Sequence, residues 1–304
     1  MISAILPSMT GARASDGSTS ELETFRGRVE AELTRSVEAT RDRLERRDPR
    51  AVFLADELGR LIGAGGSRIR PVCCYLGFRA AGGGETAPIA RAAAALEFLH
   101  LMALIHDDVM DEAKERRGVP ATHRHLAELA DPLHDRRMPD AGSLRDAEHA
   151  GRSLAILVGD LAGVCADLLF AESGVEPGRL ARALDRYHAV RLDMAAGQAL
   201  DVLGAGDALS VARLKGGSYS IAGPLLVGAD LAGASRDVEA ALRAFGEPLG
   251  TAFQLRDDLR DGDAAPGVDA PIVASLIAEA RTALEDAPFD AAALLAVADA
   301  VERM

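Results

Sequence analysis

The sequence predicts an all-helical protein, and two observations support that fold class. Alanine, leucine, arginine and glutamate dominate the 304 residues, whereas runs of β-branched residues are scarce. Apolar residues recur at intervals of three and four rather than two, which is the period of an amphipathic helix. Because hydrophobic residues make up 48% of the chain, it can also bury a sizeable core.

The predicted helices follow one another with short breaks rich in glycine and proline. Residues 1–20, rich in Ser, Gly and Thr, are expected to form a flexible tail. No boundary rich in Pro, Gly and polar residues divides the remainder, so residues 21–304 are predicted to form one domain. The apolar period predicts helices over 21–47, 50–63, 69–81, 86–113, 144–173, 177–203, 207–231, 236–262, 270–286 and 290–303.

Composition limits the classes of function. A net charge of −13 argues against an extended nucleic-acid or anionic-membrane surface, although a local anion site stays possible. The cysteines lack metal-ligand spacing and are expected to be reduced core residues; they are Cys73, Cys74 and Cys165. No segment approaches the roughly 18 uncharged residues that span a bilayer, so we expect a cytosolic protein without a membrane span.

Two acidic clusters with the same spacing stand out, in "IHDDVMDEAKERR" at 105–117 and "FQLRDDLRD" at 253–261. On a helix, residues i and i+4 share a face, so each cluster directs carboxylates toward one point. Carboxylates a few ångströms apart repel by about 4 kcal/mol per pair at an effective dielectric near 20, so each cluster favours a cation. The carboxylates concerned are those of Asp107, Asp108, Asp111, Asp257, Asp258 and Asp261.

Oxygen-only ligands with room for water and phosphate oxygens suit Mg²⁺, and a diphosphate would complete such a site. Arg116 and Arg117 could grip a second diphosphate through bidentate hydrogen bonds. One isolated acidic helix end is more often simply solvated. Two such ends, each after strongly apolar helix, favour metal binding.

An ordered series of motifs between about residues 25 and 262 resembles the trans-isoprenyl diphosphate synthases, most closely those of actinobacteria that make geranylgeranyl diphosphate. "GGSRIRP" at 65–71 is similar to the family's GGKRxRP, and the two acidic stretches are similar to its aspartate-rich regions. Further matches are "ILVGDLAGVCADLLF", "GQALD", "LKGGSYS", "PLLVGADLAGA" and "PLGTAFQLRDDLRD".

The resemblance implies an all-α bundle around a deep central cavity, a homodimer, and about three Mg²⁺ ions bound by the six aspartates. The substrates would be isopentenyl diphosphate and an allylic diphosphate. Arg116 and Lys215 would contact the allylic diphosphate, Lys215 with a catalytic role. The isopentenyl diphosphate would be held by Arg70, His100 and Arg117, and the metal-bound substrate would be supported by Gln198 and Gln254.

The family sets product length at the fourth and fifth residues before the first aspartate, here Ala103 and Met102. An ideal helical wheel also places Ala103 on the same face as Asp107, but it does not place Met102 there. Since Met102 is neither aromatic nor small, a product of fifteen or twenty carbons is expected, with twenty favoured.

The chain also departs from the family's pattern. Ser67 replaces the first lysine of GGKRxRP, and the region after Asp261 lacks the expected Gly-Lys elements.

Two other functions therefore stay open. A class I terpene cyclase would carry an Asn/Ser/Glu metal motif and aromatic rings, whereas this chain has no asparagine and 4% aromatic residues. A non-catalytic subunit that binds prenyl diphosphate or modulates a partner is the second.

Overall fold

A computed structural model describes residues 16–84, 87–135, 144–262, 264–265 and 267–304. The all-helical prediction is confirmed, since a two-stranded hairpin is the only sheet in these ranges. The helices are α1 (Asp16–Glu45), α2 (Phe53–Gly63), α3 (Ile69–Ala80), α4 (Ala87–Met110), α5 (Thr122–Asp135), α6 (Leu144–Ala171), α7 (Pro177–Val202), α8 (Ala208–Ala212), α9 (Gly223–Ala232), α10 (Arg236–Asp261), α11 (Ala270–Thr282) and α12 (Ala292–Glu302).

Several boundaries differ from the sequence prediction. Helix α1 begins at Asp16, inside the predicted tail, of which the first fifteen residues lie outside the described ranges. Helix α5 was not predicted. The single helix predicted over 207–231 is instead α8, a π-helix at Arg213–Ala222, and α9.

The described residues form two compact units, and the chain alternates between them. Of the described residues, the first unit comprises 16–28, 67–84, 87–93, 173–262, 264–265 and 267–304, and the second comprises 29–66, 94–135 and 144–172. The predicted single domain and its central cavity stay predictions.

Close helix contacts in the first unit depend on glycines. A Cβ on Gly77 of α3 would lie 1.9 Å from the carbonyl oxygen of Leu225 in α9, so only glycine fits this crossing. The π-helix lies equally close to α10, since a Cβ on Gly250 would lie 2.6 Å from the Cα atom of Gly217. These contacts hold Lys215, its neighbours and the second aspartate cluster within one packed layer.

In the second unit, α4 packs on α6 at two glycines spaced four residues apart. A Cβ on Gly159 would lie 2.2 Å from Nε2 of His106, and one on Gly163 would lie 3.2 Å from Sδ of Met102. Small residues one turn apart let helix backbones approach closely. Met102, one of the predicted length-setting residues, therefore contacts α6.

A buried ion network fastens α2 to α5 and to the hairpin in the same unit. The Glu57 side chain is 1% exposed and accepts hydrogen bonds from Arg60, at 2.5 and 2.8 Å, and from Nδ1 of His125, at 2.7 Å. Nη2 of Arg60 also donates to the carbonyl oxygen of Pro120 at 3.0 Å. Charges taken from water need such partners, so Glu57 holds Arg60 in place, and Arg60 in turn binds the hairpin at Pro120.

Within the described ranges, two helices are long and apolar enough to cross a membrane by length and composition, so the absence of a membrane span stays a prediction. They are Pro88–Met110 and Ala147–Ala171, and 67% and 50% of their most apolar windows are buried. A core helix of a soluble protein passes the same test, because burial and membrane insertion favour the same side chains.

Candidate active site

The first aspartate cluster lies where α4 ends. Asp107 and Asp108 are in its last turn, and the helix stops at Met110, so Asp111 follows the helix rather than continuing it. Glu112 adopts a left-handed conformation with φ 53°, and the amide of Ala113 donates to the carbonyl oxygen of Asp108 at 3.0 Å. This turn ends the helix and reverses the chain toward the hairpin.

The hairpin that follows presents two arginines. Strands β1 (Glu115–Arg116) and β2 (Val119–Pro120) pair antiparallel, with Arg116 opposite Val119. The two loop residues, Arg117 and Gly118, have φ values of 57° and 76°, as a type I′ turn requires. Gly118 adopts this conformation without strain, whereas Arg117 does not, and such strain in a non-glycine residue is concentrated at functional sites.

Arg116 turns back onto the aspartates. Its Nε and Nη2 atoms lie 2.8 and 2.5 Å from Oδ1 of Asp108, and Nη2 lies 3.5 Å from Oδ2 of Asp107. The Asp108 side chain is 2% exposed, whereas Asp107 is 27% exposed. One guanidinium thus neutralises the buried carboxylate and contacts its neighbour.

Burial and charge shift the pKa values of Asp108 and Arg116. Loss of water raises the pKa of Asp108, although the hydrogen bond and charge of Arg116 offset part of that shift. Burial alone would lower the pKa of Arg116, but its hydrogen bond to Asp108 and the charges of Asp107, Asp108 and Asp111 together raise it. The arginine therefore stays charged.

The second arginine of the hairpin binds an acidic residue that sequence reasoning missed. Nη2 of Arg117 donates to Oε1 of Glu97 at 3.3 Å, and the Glu97 side chain is 4% exposed. A charge inside the apolar stretch of α4 was the available signal, because a buried carboxylate needs a cation. His100 lies one turn beyond Glu97 on the same helix and is half-buried.

The second aspartate cluster ends α10 and is also held by cation and amide donors. Arg260 pairs with Asp257 through Nη2 and donates from Nε to Oδ1 of Asp261 at 3.0 Å. Nε2 of Gln254 donates to Oδ1 of Asp258 at 2.8 Å. Gly262, with φ 83°, ends the helix directly behind them.

Lys215 lies near this second cluster. Its Nζ donates to Oδ2 of Asp201 at 2.5 Å. Burial raises the pKa of Asp258, the hydrogen bond from Gln254 opposes that shift, and the Lys215 charge is close enough to oppose it as well. The first unit thus brings Lys215, Gln254 and the second aspartate cluster close to one another.

Arg70 is buried in the first turn of α3, with 8% of its surface exposed. Its Nη2 donates to Oγ of Ser220 at 2.7 Å, and its guanidinium carbon lies 4.4 Å from the centre of the Tyr219 ring. Just before this helix, Oγ of Ser67 accepts from the amide of Ile69 at 3.4 Å, so the residue that replaces the family's lysine helps to begin α3.

Across the described ranges, no three His, Cys, Asp or Glu side chains are grouped so that they could hold a metal ion. The carboxylates of both clusters are instead held by arginine and glutamine donors. Arg116 and Arg260 therefore occupy the place of a cation at each cluster. The acidic donors are carboxylate oxygens alone, which is the ligand type that Mg²⁺ prefers.

Sequence reasoning missed Arg260, Asp201, Tyr219 and Ser220 as members of the site. Arg260 carried a local signal, because a cation inside an Asp-Asp-x-x-Asp segment lies within one turn of two of its carboxylates. The Tyr219 and Ser220 contacts reach Arg70 across 150 positions of sequence and have no local signal.

The chain thus belongs to the class of all-helical proteins with two aspartate clusters, each at the end of a helix and each paired with an arginine. A family model described as polyprenyl synthetase matches residues 52–271, and the chain belongs to this family. The match stops at the start of α11, so α12 lies outside it.

Curated relatives carry names with different product lengths. The chain is 34% identical over 212 residues to the geranylfarnesyl diphosphate synthase of Aeropyrum pernix, which covers 66% of the chain and 58% of that protein. It is 31% identical over 211 residues to the nonaprenyl diphosphate synthase of Mycobacterium tuberculosis, and this match covers 69% of the chain and 56% of that protein. The matched part of the chain thus spans less than three fifths of either relative.

Among solved structures, the chain is similar to the geranylgeranyl pyrophosphate synthase from Corynebacterium glutamicum, which was crystallised with isoprenyl diphosphate and magnesium. The TM-score is 0.79 at 28% identity, over 93% of this chain and 99% of that one. The geranylgeranyl pyrophosphate synthetase of Geoglobus acetivorans has a TM-score of 0.69 at 23% identity, over 90% of this chain and 99% of that one, and this likeness supports the fold.

Proposed function

We propose that this protein is a Mg²⁺-dependent prenyltransferase. It joins isopentenyl diphosphate to an allylic diphosphate and releases a longer prenyl diphosphate of fifteen or twenty carbons, with twenty favoured. The observation that carries the proposal is that each aspartate cluster is paired with a guanidinium, inside a chain of the polyprenyl synthetase family. Such clusters bind cations, and a diphosphate is the anion that completes a Mg²⁺ site of carboxylates.

In this proposal, Asp107, Asp108 and Asp111 hold Mg²⁺ against the allylic diphosphate. Bound Mg²⁺ stabilises the negative charge that grows on the departing diphosphate. Arg116 leaves Asp108 and binds the diphosphate, exchanging one anion for another without becoming uncharged. The departing diphosphate is also the base that removes a proton from the condensed product.

The second cluster binds Mg²⁺ in the same way. Lys215, which contacts Asp201, is expected to contact the allylic diphosphate. Gln254, which contacts Asp258, is expected to support the metal-bound substrate, and Gln198 is proposed in the same supporting role. The isopentenyl diphosphate is assigned to Arg70, His100 and Arg117.

A product assay tests the function. Purified protein is incubated with Mg²⁺ and isopentenyl diphosphate, together with dimethylallyl, geranyl or farnesyl diphosphate in turn. Longer prenyl diphosphates support the proposal. Hydrocarbons formed from an allylic substrate alone would indicate a cyclase, and the absence of both products would indicate a non-catalytic subunit.

Met102→Phe is expected to shorten the product. Met102 lies on α4 five residues before Asp107 and contacts α6 at Gly163, so a rigid ring there would fill space beneath the first cluster. Chromatography of the dephosphorylated products measures the shift. Met110→Phe, at an exposed position on the same helix, is the control. An unchanged distribution in Met102→Phe would place the length limit elsewhere.

We also propose a cytoplasmic homodimer. The three cysteines are free and buried, as suits a reducing compartment. Helix α6 exposes Ile156, Leu157 and Val164, which are 47%, 52% and 52% exposed and lie on one face. A second copy of the chain would remove this apolar face from water.

Leu157→Glu is therefore expected to weaken the dimer by about tenfold or more, because the charge would be buried in the interface. Light scattering after size-exclusion chromatography gives the mass. Leu129→Glu, at an exposed position of α5, is the matched control and should keep the mass of the wild type. The same mass for both variants would exclude this face as the interface.

A further inference from the structure

Arg70 has an uncompensated positive charge. Its described partners are a hydroxyl, on Ser220, and an aromatic face, on Tyr219, and none of the described carboxylates forms an ion pair with it. Its Nε atom is buried and has no hydrogen-bond acceptor. A buried guanidinium in this condition is costly unless an anion binds it, so the pocket of Arg70 is arranged for an anionic ligand.

Both partners of Arg70 come from the π-helix. Tyr219 and Ser220 are adjacent and buried, at 5% and 1% exposure. A π-helical segment is rare in proteins and frequently lies at a functional site. Here it directs two consecutive side chains to one guanidinium, and its other side is fixed to α10 through Gly216 and Gly217.

The two contacts act on different parts of the arginine. The hydrogen bond from Nη2 to Ser220 fixes one edge of the guanidinium plane, and the Tyr219 ring covers one of its faces. Together they define the plane and the rotation of the group. Tyr219 and Ser220 therefore set the direction of the remaining N–H donors of Arg70. A carboxylate partner would compete with an anionic ligand for these donors, whereas a ring and a hydroxyl do not.

We propose that Tyr219 and Ser220 are positioning residues that orient Arg70 toward the diphosphate of isopentenyl diphosphate. The assignment rests on the proposed function for the identity of that ligand. The ring face supplies an attraction that leaves the charge available, since a cation–π contact does not neutralise the guanidinium. The tyrosine ring, rather than its hydroxyl, is the part that matters for Arg70.

Tyr219→Leu should raise KM for isopentenyl diphosphate by roughly three- to tenfold, in line with the usual strength of a cation–π contact. The kcat value and KM for the allylic substrate should stay within about twofold, because Arg70 does not take part in ionisation. Tyr219→Phe keeps the ring face and should behave like the wild type. Ser220→Ala should give a smaller rise, of about threefold.

Tyr187→Leu is the matched control. Tyr187 is another buried tyrosine of the same unit and also lies beneath an arginine, Arg191, at 5.4 Å. It should change stability without changing KM for isopentenyl diphosphate selectively. Titration calorimetry of the full-length variants with inorganic pyrophosphate provides a readout that does not depend on turnover, and Tyr219→Leu should weaken this binding while Tyr219→Phe keeps it.

Equal behaviour of Tyr219→Leu and Tyr219→Phe in both measurements would overturn the proposal, as would an equal rise in KM for both substrates. Failure of the proposed function can be distinguished from failure of the positioning role. If the wild type does not elongate but binds pyrophosphate in a manner that depends on the Tyr219 ring, the orientation of Arg70 is supported and the proposed reaction is wrong. If the wild type elongates normally and Tyr219→Leu changes nothing, the proposed reaction is supported and the positioning role is wrong.

Discussion

Asp107→Ala is expected to lower the rate of chain elongation by about a thousandfold. Metal-bound carboxylates stabilise the charge on the departing diphosphate, and loss of about 4 kcal/mol of that stabilisation corresponds to about a factor of 10³ in rate. Asp107 is partly exposed, and its ion pair with Arg116 is long, at 3.5 Å, so we expect its removal to cost little stability. Steady-state incorporation of labelled isopentenyl diphosphate measures the effect.

Asp185→Ala, which removes an exposed carboxylate of α7, is the control and should keep the rate of the wild type. Elongation by Asp107→Ala within about tenfold of the wild type would contradict the metal assignment, because a lost ligand should cost more than that. Thermal unfolding of both variants in the absence of ligand separates a loss of rate from a loss of folded protein.

Arg116→Leu is expected to destabilise the protein in the absence of metal. The Asp108 carboxylate is 2% exposed and would lose both its hydrogen bond and its ion pair with this cation. Breaking a buried ion pair costs about 3–5 kcal/mol, and since Arg116 is 33% exposed we expect a smaller loss, of about 2–3 kcal/mol in the free energy of unfolding. Urea unfolding measures the change.

The double variant Arg116→Leu/Asp108→Asn should recover most of that loss, because it removes the buried charge together with its partner. Arg35→Leu serves as the control, since Arg35 forms an exposed pair with Glu32 in α1 and such pairs contribute below about 1 kcal/mol. If Arg116→Leu costs no more than Arg35→Leu, the Arg116 pair does not hold the first cluster together.

The fold class could be predicted because helical periodicity is a local property of the sequence. Helix ends were less predictable. The left-handed conformation of Glu112 stops α4 at Met110, although the acidic residues after it continue a helical pattern. Helix α5 was missed because Gly118 and Pro120 indicated a break, and in the structure they belong to a hairpin that leads directly into the helix.

The candidate site was predictable as a set of residues rather than as a set of contacts. The aspartates were found by spacing, and the hairpin arginines by their nearness along the chain. The partners of Lys215, Arg117 and Arg70 were not found, because each depends on helices meeting in three dimensions. The π-helix was also unforeseen, since the apolar period of 207–231 fits an ordinary helix.

Metal binding with and without diphosphate tests the central claim most directly. Mn²⁺, which can be followed by electron paramagnetic resonance, is titrated into the wild type, Asp107→Ala and Asp257→Ala, each with and without inorganic pyrophosphate. Because Arg116 and Arg260 pair with the carboxylates and would compete with a cation, we predict weak Mn²⁺ binding alone, at least about tenfold tighter binding with pyrophosphate, and loss of that gain in both variants. Mn²⁺ binding that neither pyrophosphate nor either substitution changes would contradict the account.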